Sequence, residues 1–564
     1  MKHILFLFWV LIVANTGRAQ LSEPHQPPSW NTSISSIDNL SIVVIDAPDM
    51  SEVYAIRNAQ KHKNTALLAG KKIPVQVNFL ENGTWNVLPN NSLVCRTKIT
   101  AKNAGHVGVN FSELYLPIGG ELYFYSPDFK NKIGPFTQQD VAQDGSFSSG
   151  VIEGSEIIIE LVQPARNNTR PIVDIESLIY LVKERKSASR DFGDADDCHI
   201  NINCKEGDNW RDQQNAVVRI LMYINGEYGW CTGTIMNNTF QDCTPYILTA
   251  DHCRSVKAGS VAAETDYDQW QFYFNYEGPK CKNPKESEVA IGTLTGCKKM
   301  ANSGKMAEGD PDFLLVKLNS AIPQFYNPFF AGWDNRNLAS SSGVMIHHPQ
   351  GDVKKISTYT STLESSQWNE NNKNTHWKLY WAETSNGRGV SQSGSSGSAL
   401  WNSDKRVLGQ LTGGSSGCTD DGTTSPYNPD YFGKMSAGWF MNGEVPSLQL
   451  KAWLDEGNSL RSFIDGIKWP CAEDPLTAMS VIEKSEEIKL YPNPANKTIR
   501  VDLKGLFQNK IEFSIINSLG TKIGSTESTS SQTADLNIDD LPKGLYILEI
   551  SSGGEVIRKT FIKE

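Results

Sequence analysis

The chain lacks the features that mark a nucleic-acid binder or a membrane-embedded protein. Its net charge is −10 and no basic block stands out, so a phosphate backbone finds no electrostatic footing. Beyond the first twenty residues no stretch approaches 18 apolar residues, the length a helix needs to cross a bilayer. Metal-ligand spacing is missing as well. His347 and His348 are neighbours, which on a strand sends their rings to opposite faces, and no further ligand pattern accompanies them. No metal and no cofactor are expected. Cysteine is nearly absent from the first third: Cys95 stands alone before Cys198, whereas eight of the ten cysteines fall between 198 and 468.

What is present points to a mainly β protein of several parts. A chain of 564 residues exceeds one core, and 14 Trp with 18 Tyr suit large aromatic-rich β cores. Residues 1–19 read as a secretory signal. A charged start precedes the apolar run Ile4 to Val13, then Gly17 and Ala19 occupy the small-residue positions of a cut after Ala19. Export makes the cysteines candidates for disulfides.

Residues 20–190 show short apolar runs between turn signals (Val75 to Leu80, Glu121 to Tyr125, Glu156 to Leu161) and read as a β-sandwich, either a propeptide or an accessory domain. The charged stretch from Val182 to Arg190 is a candidate for nicking near Lys186 or Arg190, or a plain surface linker. In residues 191–470, Val217 to Ile224, Asn225-Gly226 and Tyr228 to Met236 spell a hairpin. Trp270 to Tyr276 and Asp312 to Leu318 are further strands, and Leu448 to Leu454 suits a closing amphipathic helix. Many strands with one terminal helix indicate a β-barrel enzyme domain. Residues 471–487 form a polar linker, and 488–564 a small separate β-sandwich.

Three segments of the barrel region carry chemistry. In Gln392 to Ala399, glycines flank Ser396 at positions 394 and 397. They allow a tight loop that presents a hydroxyl and leaves N–H groups bare for an oxyanion. Tyr246 to Cys253 runs an apolar strand into His252, and Gly309 to Leu318 sets Asp312 at the mouth of a buried strand. Ser/Gly-rich loops and strand-edge His or Asp are individually common. The order His, Asp, Ser is not.

Thr249-Ala250-Asp251-His252-Cys253, Asp312-Phe313-Leu314-Leu315 and Gly394-Ser395-Ser396-Gly397-Ser398 resemble the three motifs of chymotrypsin-fold serine proteases, and more closely the bacterial lysyl endopeptidase branch. Cys204 to Asp208, Ala331 to Asp334, Ile346 to Pro349 and Arg406 to Leu411 are similar to that branch too. The resemblance implies a double β-barrel with Ser396 as nucleophile, His252 as general base and acid, and Asp312 orienting the imidazole. Gly394 and Ser396 N–H groups would form the oxyanion hole. Asp251 and Asp310 are rival carboxylates; Asp251 adjoins the His and should point elsewhere.

Trypsin-like enzymes carry a carboxylate six residues before the nucleophile, and here that position is Val390. By similarity the pocket acid is Asp430, selecting a basic P1 side chain, with Trp368 packing on its stem. The competing readings are an Asx-turn residue for Asp430 and ordinary barrel packing for Trp368. Thr412 stands where the family has a His stacked on that Trp, which leaves arginine acceptance open. The resemblance also suggests bridges Cys198–Cys418, Cys204–Cys281 and Cys231–Cys253; Cys243–Cys297 is a candidate fourth, with Cys95 and Cys471 unassigned.

The flanks look like a protease propeptide and, through Leu490 to Pro494 and Leu541 to Tyr546, like the C-terminal sorting domain read by the type IX secretion system. A carbohydrate-binding or adhesive module is the alternative for the tail. The expectation is therefore a monomeric secreted or surface-attached serine endopeptidase of a Gram-negative bacterium. It would act on protein substrates and engage outer-membrane secretion machinery through its tail. An Arg-specific or dual enzyme and a silent protease-like adhesin are the alternatives.

Overall fold

The computed structural model describes residues 26–564 apart from 33, 35, 61–64, 143, 165–168, 183–194, 285–288, 290–291, 305–309, 369–373, 420–421, 441–444, 472–487, 505–510, 518–521, 529–532 and 553–554. The signal segment, the Lys186 and Arg190 nicking sites and most of the polar linker lie outside the described residues. Contacts divide the chain into two compact units, one of residues 1–239 with 244–466 and one of 240–243 with 467–564.

The first unit begins with two facing sheets. One orders Ser41–Ile45, Leu93–Ala101, Glu156–Gln163, Glu121–Tyr125 and Lys132–Phe136. The other runs Leu67–Asn78, Ile172–Val182, Ala104–Tyr115, Phe147–Glu153. Phe124 and Phe136 of the first meet Phe111 and Phe147 of the second, with Phe136 and Phe147 centroids 4.8 Å apart. The run expected as a strand from Val75 to Leu80 instead ends at Asn78, and Phe79 opens a one-turn helix that buries its ring completely.

The second of these sheets does not stop at its edge. Strand Leu67–Asn78 pairs on its other side with Glu227–Met236, matching Glu227 to Lys71, Tyr228 to Gly70, Gly229 to Leu68 and Trp230 to Leu67. The sheet thereby continues into an antiparallel set formed by Gly292–Thr295, Gln271–Phe274, Val217–Ile224, Glu227–Met236, Tyr246–Ala250, Phe313–Leu318 and Cys297–Asn302. Val217–Ile224 and Glu227–Met236 make the expected hairpin, and Asn225 and Gly226 hold φ at 49° and 88° as its turn requires.

A second antiparallel set follows: Ile200–Asn201, Lys355–Tyr359, Gly343–His347, Ala399–Asn402, Val407–Gly414, Asp430–Lys434, His376–Leu379 and Glu364–Ser366. Leu248, Phe313 and Leu315 from the first set share one buried cluster with Trp333, Ile346 and Trp401 around the second. Burying side chains of this size contributes about 1.5–3 kcal/mol each, and it fixes the seam where the two sets meet. Two short helices cap this region. Lys451–Leu454 falls inside the expected helix. Met435–Phe440 was not anticipated; Met435 and Trp439, four apart and so on one helix face, both join the core.

The second unit carries two small sheets, Lys489–Tyr491, Thr498–Asp502, Thr533–Asn537 and Lys522–Ser528, Ile511–Asn517, Gly544–Ser552, Glu555–Lys563. Ile499, Val501, Phe513, Leu548 and Phe561 fill the space between them.

Four disulfides are present. Cys198–Cys418, Cys204–Cys281 and Cys231–Cys253 pair as the resemblance implied. The proposed Cys243–Cys297 bridge does not form, because Cys243 bonds Cys471 instead. Cys297 opens a strand and points its buried sulfur at the Tyr267 carbonyl, 3.6 Å away. Cys95 is likewise a buried free thiol, facing the Phe79 carbonyl.

Candidate active site

His252 sits in a one-turn 3-10 helix, Asp251–Arg254, that directly continues strand Tyr246–Ala250. The Cys231–Cys253 bridge ties that turn to the neighbouring hairpin strand. Asp312 immediately precedes Phe313–Leu318, the strand paired with Tyr246–Ala250, so the sheet register alone brings the two side chains together. Asp312 adopts a left-handed φ of 56°. Its carbonyl accepts the Asp251 N–H at 2.8 Å, which aims the carboxylate back at the imidazole.

The pair is fully buried. His252 Nδ1 donates to Asp312 Oδ2 at 2.7 Å, and the His252 backbone N–H donates to Oδ1 at 3.0 Å. Burial raises the Asp312 carboxyl above its ordinary range, against the opposing pull of His252. The rival Asp251 turns away, as anticipated, to Arg254 Nε at 2.5 Å and Asn302 at 2.9 Å. His252 Nε2 is buried with no hydrogen-bond partner among the described residues, so the Ser396 hydroxyl does not close onto it.

Ser396 nevertheless lies at the same seam. Its carbonyl accepts the Thr232 N–H at 2.9 Å. A Cβ added to Gly397 would come within 2.8 Å of Ala250 N, two residues before His252. Gly394 holds φ at 94°, and a Cβ there would strike Gln350 N and His348 O at 2.9 Å. Only glycine fits. The loop N–H groups of Ser395, Gly397 and Ser398 all donate within the protein.

Thr232 is the residue the sequence did not single out. Its hydroxyl donates to Gly394 O at 2.9 Å and accepts from His348 N at 3.1 Å, while its carbonyl accepts from Thr249 Oγ1 at 2.8 Å. Through its hydroxyl and its carbonyl, this one hairpin residue links the His strand, the Ser396 loop and the His347-His348 strand end.

Asp430 opens strand Asp430–Lys434 and is wholly buried. Oδ2 accepts from Trp381 Nε1 and Ser416 Oγ, each at 2.6 Å. Oδ1 has no partner among the described residues. Burial pushes this carboxyl up as well, partly opposed by those bonds. A Cβ on Gly414 would sit 2.1 Å from Oδ1, so only glycine leaves room for the carboxylate in this orientation. Val390, in the trypsin acid position, is buried and contributes only packing and a carbonyl.

Trp368 is half-buried and packs edge-on against Tyr431, centroids 5.4 Å apart, next to Asp430. An imidazole does approach Trp368, but it comes from His376, with ring centroids 6.4 Å apart. Thr412 Oγ1 bonds His376 Nε2 at 3.1 Å. Burial beside Lys434 lowers the His376 pKa to about 3, so this ring is neutral.

Residues 192–433 match the family model for the lysyl endopeptidase C-terminal domain. By that match this segment is similar to the lysyl endopeptidases. A lysyl endopeptidase of Pseudomonas aeruginosa is 26% identical over 312 residues, covering 53% of this chain and 63% of that relative, so the chain spans less than two thirds of its length. Among solved structures, the thermostable serine protease AL20 from an extremophilic microorganism aligns at 13% identity and TM-score 0.25, over 40% of this chain and 92% of that one. Protease Anisep from Arthrobacter nicotinovorans aligns at 15% and 0.26, over 39% and 90%. Residues 489–564 match the secretion system C-terminal sorting domain, which marks the chain for type IX export to the medium or outer surface of a Gram-negative bacterium.

Residues that precede the matched segment also reach the Ser396 loop and the His252 turn. Ser393 Oγ donates to the Gln60 carbonyl at 3.1 Å, and Ala66 N donates to Ser255 O at 2.7 Å. Arg57 Nη2 bonds Gln350 Oε1 at 3.2 Å.

Proposed function

We propose that the chain is a serine endopeptidase that cleaves on the carboxyl side of basic residues, lysine foremost. What carries the reading is the buried His252–Asp312 pair whose remaining ring nitrogen, Nε2, is unspent beside the glycine-held Ser396 loop. During attack on a peptide carbonyl, Ser396 Oγ forms the new bond and His252 Nε2 takes its proton. Asp312, holding Nδ1–H, stabilises the resulting imidazolium. The Gly394 and Ser396 N–H groups receive the oxyanion, each donor contributing roughly 3 kcal/mol to the transition state. Collapse of the intermediate breaks the C–N bond, the imidazolium protonates the leaving amine, and water repeats the sequence to release the acid.

Selectivity is assigned to Asp430. A buried carboxylate with one oxygen unpartnered is costly until a cation reaches it, and a P1 ammonium supplies that partner along the face of Trp368. Labelling of Ser396 by a fluorophosphonate probe, absent in Ser396→Ala, tests the nucleophile. Digestion of a peptide library tests the pocket. Cuts after apolar residues would refute Asp430 as the selector, and failure to label would leave a silent, protein-binding homologue.

A further inference from the structure

Behind the nucleophile loop runs a second polar chain that the reaction above does not use, with the side chains of Ser395, His347 and Ser357 fully buried. Ser395 Oγ accepts the Gln392 N–H at 3.2 Å and lies 2.7 Å from His347 Nδ1. His347 Nε2 lies 3.2 Å from Ser357 Oγ, which donates to the Val390 carbonyl at 3.1 Å. A carbonyl only accepts, so Ser357 spends its proton there and must receive one from Nε2–H. Nδ1 is then the acceptor for the Ser395 hydroxyl. Every donor in the chain has one acceptor, and the ring is neutral. Burial, with His199 and His348 alongside, also drives its pKa well down.

Both ends of this chain close on the same loop, at Val390 and at Gln392 with Ser395, immediately before Ser396. The Gln392 side chain is itself held, accepting from His199 Nε2 at 2.9 Å and donating to Asp196 Oδ2 at 2.8 Å. His348 faces the other way, Nδ1 donating to the Asp352 carbonyl at 2.8 Å.

We propose that His347 is a positioning residue that sets the 390–396 loop so that the Gly394 and Ser396 N–H groups point at the oxyanion. This rests on the proposed hydrolase reading. His347 touches no substrate and acts through Ser395.

The full chain carrying His347→Ala, His347→Gln, Ser395→Ala or the His347→Ala/Ser395→Ala pair tests it. We expect His347→Ala to lower kcat roughly 10²-fold, as loss of one oxyanion donor does. Affinity for a lysine-based peptide boronate, which forms the tetrahedral adduct, should fall in step. KM and inhibition by n-butylammonium, a bare side-chain mimic for the Asp430 pocket, should stay within about twofold. Gln, which also accepts and donates, should restore most of the loss. Ser395→Ala removes a single oxygen and so keeps the fold; it should reproduce the defect, and the double variant should add nothing to it.

An unchanged kcat, an additive double variant, or equal losses of boronate and butylammonium binding would each overturn the proposal while wild type still labels with fluorophosphonate. Absence of labelling in wild type would instead remove the hydrolase reading beneath it.

Discussion

Asp430 is a carboxylate whose burial opposes its own charge. Its folded pKa stands above the ordinary carboxylate value, so the folded state holds the proton more tightly than the unfolded chain. Stability is therefore lost as pH rises through that raised value. Asp430→Asn should raise the melting temperature at neutral pH, and that advantage should vanish below the ordinary carboxylate range; differential scanning calorimetry at the two pH values checks this. The same variant should lower kcat/KM on lysyl peptides by roughly 10²–10³-fold, since the cation then meets no countercharge, while fluorophosphonate labelling persists. Asp312→Asn should reduce kcat by roughly 10⁴ through the wrong imidazole tautomer, with little change in KM.

At this scale the sequence named the groups but not their company. The resemblance pointed to Asp430, yet the room for its unpartnered Oδ1 depends on Gly414 from another strand. The imidazole near Trp368 is that of His376, held by a hydrogen bond to Thr412.

Strand ends do the assembling. The hairpin was legible because Asn225-Gly226 dictates its turn, and the His strand because an apolar run ends in the Asp251-His252-Cys253 triplet. Thr232 was not legible: it reaches Gly394 across 162 positions, and no local pattern encodes such a meeting. Thr232→Val should leave Gly394 O and His348 N short of partners in a buried seam. A cost of about 1–3 kcal/mol per group is expected in denaturant titration, with kcat reduced as the loop loosens. Replacing both Cys231 and Cys253 by Ala opens a link spanning 22 positions. It should cost about 2–4 kcal/mol and release the His252 turn, visible as faster amide exchange at residues 251–254.

Across the first unit, the boundary placed near residue 190 separates the chain in sequence more than in space. Strand Leu67–Asn78 pairs with Ile172–Val182 on one side and with Glu227–Met236 on the other, within one continuous sheet. Periodicity shows that a strand exists but not which edge it joins, so this sharing was invisible beforehand. A chain nicked at Lys186 or Arg190 should keep its N-terminal fragment bound through gel filtration, and lysyl-peptide turnover should rise when mild urea strips the fragment off. Co-elution lost without urea would contradict the shared strand.

The ladder between Leu67 to Lys71 and Glu227 to Trp230 is built from main-chain groups, two residues from Thr232 and hence close to Ser396. Once vacated, that row of amides and carbonyls is a ruler indifferent to side-chain identity. Polypeptides laid along it would be graded by how readily they extend, disfavouring proline and helical segments while remaining tolerant of nearly everything else.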